Sequence, residues 1–353
     1  TELKPAERFG ENVSMSSQHE RDKGFVVPTQ VYALFESTIR ADRNETHDQH
    51  RQRISNLWAG LNRVAVQNPY AWVRTPMSAE EIMHENPDNR MVGYPYTKAM
   101  NANSFVDFGG AIIICSVGKA KALGINPDQW VFPHAATDGN ASYFFSERQN
   151  FHQSPAIRLT GNRCLELAEI SIDEVGPMDL YSCFPSVVQI TMNELGVSPA
   201  REVTTTGGLS FFGGPMNSYV IHAIASTVDA VRSSGKARFV HANWGYATKH
   251  ACAVYKNEPP KTDFRRENMQ KAIDAYPTRA VDENPVGTAV IEADTVVHDT
   301  EGPQVALVTA IMDDGRRALS STSEISLMDS MMEEEFVGTN ISFQSDGSFV
   351  IKG

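Results

Sequence analysis

The chain has 353 residues, 41% hydrophobic and 21% charged, the composition of a soluble globular protein built from two or three compact units. Its net charge of −12, from 31 Lys+Arg against 43 Asp+Glu, argues against nucleic acid, because phosphate binding needs a basic surface that releases counterions. Four widely spaced cysteines, Cys115, Cys164, Cys183 and Cys252, form no CxxC pair, which speaks against a zinc site or a disulfide framework and for a reducing cytoplasm.

The longest apolar stretch, "GGAIIICSV", falls short of the roughly 20 residues that span a bilayer, and no signal peptide is legible. No membrane partner and no metal are expected. The chain starts at Thr1 rather than at methionine, and a further segment is expected upstream.

Residues 1–67 are rich in charge and amide. Within them "VPTQVYALFESTIRA" predicts a helix with Pro28 in its first turn, and "DQHRQRISNLWAGLNRVAV" predicts an amphipathic helix through Ile54, Leu57, Trp58, Leu61 and Val64. His47 and His50 are expected on its solvated side. "SFVDFGGAIIICS" (Ser104–Ser116) reads as a central, fully buried strand, and "VGKAKALGI" as a short helix stopped by Gly124. "WVFPH" predicts a strand followed by the loop "AATDGNASYFFSER", from which His134 and Asp138 reach toward a pocket.

From Ser154 the pattern alternates. "PAIRLTGNRCLELAEI" is helical, "MDLYSCF" a strand, and "PSVVQITMNEL" a helix opened by Pro185. The loop "GGLSFFGGPMNSY" then leads into a helix with Val220, Ile221, Ile224, Val228 and Val231 on one face and His222 at the surface. "ARFVHANWGYATKHACAVYK" predicts a hairpin turning near Trp244 and Gly245. This is the order of an α/β sheet covered by helices. Residues 257–284, with three prolines, read as a linker. Beyond it, three strands, one helix and two strands about "DTEGP" and "DG" turns match a small OB-like β-barrel. Its 3 basic and 12 acidic residues from Gly287 to Gly353 make it a poor phosphate binder.

Three stretches together resemble the C-terminal half of the thiolase superfamily. "LYSCFPS" (Leu180–Ser186) stands where sterol-carrier-type thiolases carry H-D-C-F and other thiolases N-E-A-F. "GGLSFFGGP" (Gly207–Pro215) resembles the G-G-x-x-x-x-G-H-P loop, and "HANWGYATKHACAVY" the hairpin that holds a second catalytic cysteine. With "GYPYTKAMNAN", "ATDGNASYFFSER" and the tail, the chain is most similar to thiolase-like proteins of type 1, often labelled acetyl-CoA acetyltransferases. The resemblance implies an α/β thiolase-like layered fold with an incomplete N-terminal half and an appended barrel. The divisions are 1–117, 118–256, the linker and 285–353.

It also implies an acyltransferase-class, lipid-metabolic protein that binds a coenzyme A thioester as substrate or ligand, through Phe184, Gly208, Gly213, Gly214 and Met216. Tyr181, Cys183, Asn243, Tyr246 and His250 are the implied catalytic positions. The departures are large. Gly214 stands where the family has histidine, Asn243 aligns near the acid/base cysteine, and no nucleophile loop is legible. A Claisen condensation needs a base and an acyl-accepting thiolate, which glycine and asparagine do not supply.

Three readings follow: an acyl-CoA protein without ordinary thiolase turnover; a retro-aldolase-type C–C lyase; or a non-catalytic CoA binder or scaffold subunit. Steroid side-chain retro-aldolases resemble this chain in a Y-D-C-F motif, with Ser182 here in place of the aspartate. The loop Gly213–Gly214, leading directly into a helix capped by Asn217 or Ser218, is expected to hold a thioester oxygen. A homodimer, or an N-terminal segment outside this chain, is the expected polypeptide partner.

Overall fold

Helix α2 (Pro28–Asp42) is buried almost all round from Val31 to Arg40, and the fold is wrapped about it, with Glu36 and Arg40 paired inside. The computed structural model of the chain describes residues 14–352, so the first thirteen residues of the expected charge- and amide-rich stretch lie outside them. A single capped turn, α1 (Gln18–Asp22), precedes α2. Helix α3 (His47–Gln67) starts at a reciprocal capping box between Thr46 and Gln49. It buries Ile54, Trp58 and Leu61 as expected, whereas Leu57 and Val64 are half-buried and Ala65 takes the last inner position.

His47 and His50 are buried rather than solvated. His50 lies between two carboxylates, with Nε2 2.7 Å from Glu36 and Nδ1 2.9 Å from Glu45. Burial alone lowers the His50 pKa, but the two carboxylates overcome it and raise it. Burial likewise pushes Glu36 up, and the bonds from His50, Tyr96 and Gln189 bring it below the usual carboxylate range. The histidine is inside because its charge is neutralised there.

A short helix, α4 (Ala79–Met83), and the paired strands β1 (Met91–Gly93) and β2 (Tyr96–Thr97) follow. Residues 104–116 then form no strand, which corrects the central-strand expectation. Helix α5 (Val117–Ala122) comes next, ended near Gly124, which is left-handed.

The body sheet contains β3 (Phe132–Asn140), β4 (Arg238–Trp244), β5 (Lys249–Lys256) and β6 (Arg265–Asn268) in the order β4-β5-β3-β6. All neighbours are antiparallel except β3 with β6. Strand β3 runs through the expected loop. His134 Nε2–H donates to the Glu258 carbonyl, and Asp138 holds Arg266 and Asn268, so neither points to a pocket. The "MDLYSCF" stretch lies parallel to β4 through one bridge, Asp179 to Val240.

Helix α6 (Pro155–Leu167) covers one face of this sheet, where Thr160 meets Thr137 and Cys252. Helix α7 (Pro185–Leu195) packs between α6 and α2. Helix α9 (Tyr219–Ser234) covers the other face, reached by Arg238 through Ser234. Its core side is Tyr219, Ala223, Thr227 and Val231, whereas Ile221 is exposed. His222 is half-buried against Phe108 and Phe212 rather than at the surface.

The 257–284 stretch is structured: it holds β6, α10 (Gln270–Ile273) and β7 (Val281–Asp282). After it, β8 (Gly287–His298), β9 (Pro303–Met312), β10 (Arg317–Thr322), α11 (Ile325–Glu333), β11 (Asn340–Phe343) and β12 (Phe349–Ile351) keep the expected order. The sheet runs β12-β11-β8-β9-β10-β7, with β1 beside β8, and forms a half-barrel rather than a closed path. One side gives Ala293, Leu307 and Leu319 to the main core. The other closes a second core with Met328 and Met331 of α11. A bulge between Ile291 and Ala293 shifts the register of β8 between these tasks.

Asp294 lies in this junction, buried, with Oδ1 unpartnered among the described residues. Burial pushes its carboxyl up to about 7, Arg40 pulling down and Glu335 pushing further up. With the folded pKa above the ordinary value, the stability linked to protonated Asp294 is complete below about pH 4. It is lost as pH rises through about 7. Asp294→Asn is therefore expected to raise stability at pH 8 by about 1–4 kcal/mol and to change it little at pH 4. Urea midpoints of the two proteins at both pH values check this, and an equal gap at both would refute it.

Candidate active site

The end of the "MDLYSCF" stretch, the start of α7 and the β4–β5 turn converge. Cys183 precedes Phe184, the N-cap residue of α7, and is buried. Its Sγ lies 3.8 Å from Asn243 Nδ2, which donates to Tyr32 Oη at 2.9 Å. The Tyr32 hydroxyl donates to the Gly245 carbonyl (2.9 Å) and accepts from the Ala247 amide (3.0 Å). Phe184 stacks on the Tyr32 ring with centroids 4.7 Å apart. Burial pushes the Cys183 thiol up to about 12, with bonds from Tyr32 and the backbone pulling against it. This is a protonated, poorly nucleophilic thiol at neutral pH. Asn243 Oδ1 is buried with no hydrogen-bond partner among the described residues.

Tyr181, two residues before Cys183, lies edge-on to Tyr219 at 5.5 Å. Burial, then the neighbouring Cys183, pushes its hydroxyl above the ordinary phenol range. Ser182, standing where a retro-aldolase aspartate would, is buried and accepts from the Leu209 amide at 3.2 Å.

The glycine loop begins with Gly207 and Gly208 at φ +111° and +76° and includes the turn α8 (Gly208–Phe211). A Cβ on Gly207 would lie 2.4 Å from the Ala65 Cβ and 2.5 Å from its Cα, so the loop rests directly on α3. Trp58 of α3 donates to Ser210 Oγ at 3.0 Å.

Asp179 anchors the loop from below. Its Oδ2 accepts from the Thr205 amide (2.8 Å) and from the Thr204, Thr205 and Thr206 hydroxyls, and its Oδ1 from Tyr219 (2.9 Å). Thr204 Oγ1 accepts in turn from the Gly207 amide, and Thr206 Oγ1 from the Gly208 amide.

The second half of the loop departs from expectation. Gly214 N–H donates to the Asn103 carbonyl at 2.8 Å and is not free for a ligand. Helix α9 begins only at Tyr219, and the Ser218 hydroxyl bonds Pro215 O instead of capping it. A Cβ at Gly213 would strike Phe108 and Val106, and one at Gly214 would lie 2.7 Å from Leu209 Cδ2. Met216 is 82% exposed.

Tyr246 is not in this cluster: its hydroxyl donates to Val26 O (3.0 Å) and its ring meets Phe145. The turn places Tyr32, not Tyr246, beside Cys183. His250 pairs with His241, Nδ1 to Nε2 at 3.2 Å, and bonds the Ala247 carbonyl through Nε2 (3.1 Å). That carbonyl only accepts, so His250 Nε2 carries the proton and His241 Nε2–H donates to His250 Nδ1. Burial lowers His241 to about 3 and His250 well below its ordinary value, leaving both neutral, and His241 Nδ1 has no partner among the described residues.

The structure thus brings Cys183, Phe184 and Asn243 together, and Tyr181 and Gly208 beside them. Sequence reading did not find Tyr32, Asp179 or His241. The only acid in an apolar strand, followed by "TTTGG", was the available signal for Asp179. A cavity of about 180 Å³ lined by Arg148, Ser154, Arg158 and Tyr276 includes none of these residues. Among the described residues no group of three or more His, Cys, Asp or Glu gathers as for a metal ion. No helix among them is long and apolar enough to cross a membrane.

A helix-covered sheet with a glycine loop and a cysteine before a helix defines the thiolase-like class of fold. Residues 268–348 match the family model of the thiolase-like protein type 1 additional C-terminal domain. The structure is similar to that of a monomeric SCP2-thiolase like protein type 1 from Mycobacterium smegmatis, with TM-score 0.84 and 30% identity. That match covers 96% of this chain and 75% of that one. The chain belongs to the thiolase superfamily, among the thiolase-like proteins of type 1 that carry the extra C-terminal domain.

A curated relative, benzoylsuccinyl-CoA thiolase subunit BbsB of Thauera aromatica, is 23% identical over 188 residues, 48% of this chain and 47% of its own length. The chain therefore spans about half the length of that relative. The fold is shared with an Ltp2–ChsH2(DUF35) aldolase at TM-score 0.54 and 17% identity, over 66% of this chain and 64% of that one.

Proposed function

We propose that this chain binds an acyl-CoA thioester at the Cys183–Asn243 cluster and the adjoining glycine loop, without thiolase turnover. The observation that carries the reading is Cys183 held against Asn243 at the start of α7, with Gly214 where a histidine base would stand. The CoA thioester named for the Thauera relative supports the ligand class. A thiol held protonated and two neutral histidines leave no thiolate and no ready base at neutral pH.

Isothermal titration with CoA and acetyl-CoA tests binding, and acetoacetyl-CoA thiolysis tests turnover. Saturable binding with no thiolysis is expected. Gly214→His is expected to leave thiolysis absent, since an added side chain meets Leu209 and Asn243 does not relay a proton. Measurable thiolysis by this chain would sink the reading, and absence of binding would transfer it to a scaffold subunit.

A second reading, a retro-aldolase-type C–C lyase, is favoured by Tyr181, a half-buried phenol next to Cys183. Under it Tyr181→Phe abolishes C–C cleavage of a β-hydroxyacyl-CoA while leaving acyl-CoA binding within about twofold, the small change expected for a hydroxyl used only in the reaction. Unchanged cleavage by this variant would remove Tyr181 from the chemistry.

A further inference from the structure

Where α6 begins, the cavity of about 180 Å³ opens between the loop after β3 and the stretch that follows α10. Two arginines line it, Arg148 and Arg158, and no Asp or Glu does, in a chain of net charge −12. Arg158 is already answered by Glu194, whose Oε2 accepts from it at 2.8 Å and whose Oε1 accepts from the Ser154 amide. Arg148 is not. It is 6% exposed, and its Nη1 and Nη2 end on the carbonyls of Ala247 and Gln153, both at 2.8 Å, rather than on a carboxylate. The Phe35 ring, 4.9 Å away, offers a π-face but no counter-charge. Arg148 Nε has no hydrogen-bond partner among the described residues.

A buried cation with a spare N–H is costly when left alone, and such groups in folded proteins have partners. The surroundings favour the same kind of partner. The Ala156 amide, second in α6, has no partner among the described residues, as the first turn of a helix leaves it, and a helix start attracts negative charge. The remaining walls include Pro155, Ile273, Pro277 and the Tyr276 ring, over which the Arg158 guanidinium lies at 5.7 Å. The volume exceeds the roughly 150 Å³ that accommodates one benzene ring.

We infer that this cavity is a second ligand site, separate from the Cys183 cluster, for a small monocarboxylate with an apolar body of about one ring. The carboxylate accepts from Arg148 Nε and the Ala156 amide, and the body lies against Ile273 and Tyr276. One lining cation without a counter-charge sets the ligand's charge at one. Inorganic phosphate brings more charge than that and nothing for the apolar walls.

Isothermal titration of the 353-residue chain with benzoate tests this, and reads the site whether or not acyl-CoA binds elsewhere. Saturable one-to-one binding is expected, unaltered by saturating CoA. Benzamide, without the charge, and inorganic phosphate, without the ring, are expected to bind weaker by about tenfold or more. Tyr276→Ala changes a wall residue that is 39% exposed, and is expected to weaken benzoate about fivefold or more with the melting temperature unchanged. Arg148→Gln is expected to abolish binding, with thermal unfolding showing that the variant is folded. The inference would be overturned by no benzoate binding, by displacement of benzoate by CoA, or by benzamide or phosphate binding as tightly. Full affinity in Tyr276→Ala, or in folded Arg148→Gln, would overturn it equally.

Discussion

Asp179→Ala is expected to destabilise the protein by about 3–5 kcal/mol and to abolish acyl-CoA binding, because it strands a buried set of donors. The Asp179 carboxylate accepts from one amide, three threonine hydroxyls and Tyr219 Oη. Burial pushes its pKa up, and those donors pull it back. The threonines in turn hold the amides of Gly207 and Gly208, whose left-handed backbone also rests on α3 and on Ser182. Tyr219→Phe removes a single hydroxyl and is expected to cost only about 1 kcal/mol. Urea unfolding and acetyl-CoA titration of both variants check this. A loss in Asp179→Ala no larger than that in Tyr219→Phe would show that the loop stands without its anchor.

Arg317→Met is expected to cost about 3–5 kcal/mol and to loosen the C-terminal half-barrel from the body, because it breaks a buried ion pair from one side. Arg317 is fully buried in β10 and grips Glu292 of β8 through Nε (2.6 Å) and Nη2 (2.7 Å). Its Nη1 donates to the Arg148 carbonyl at 2.6 Å and to that of Ser146, and its guanidinium lies 4.2 Å from the Phe151 ring centroid. One side chain thereby ties the sheet of the extra domain to the loop before α6. In the double variant Arg317→Met, Glu292→Leu no charge is left unpaired, and part of the loss is expected to return. Unfolding free energies of the three variants provide the cycle. A loss under about 1 kcal/mol in Arg317→Met, the level of a surface pair, would place the bond between the domains elsewhere.

Local signals determined much of this protein in the sequence alone. Pro185 opens α7 as a proline at the first helical position should, and the hairpin turns at Gly245, whose φ of +68° favours glycine. Period-2 runs between turn residues placed the strands of the extra domain in order, and three motifs at family spacing pointed to the superfamily. Each of these depends on residues close in the chain, where propensity and periodicity act.

Tertiary structure alone decided the rest, because burial and partnership are set by what packs against a residue. His50 reads as a surface residue until Glu36 and Glu45 close on it. Beside Cys183 stands Tyr32, far away in sequence, because the β4–β5 turn binds its hydroxyl, while Tyr246 of the same turn is held on Val26. The apolar residues of α9 point partly outward, Ile221 being exposed, while the hydroxyl of Tyr219 is held inside by Asp179 and Thr206. "AIIIC" has every local mark of a buried strand and is exposed, since a strand exists only where another strand bonds to it, and none within residues 14–352 does.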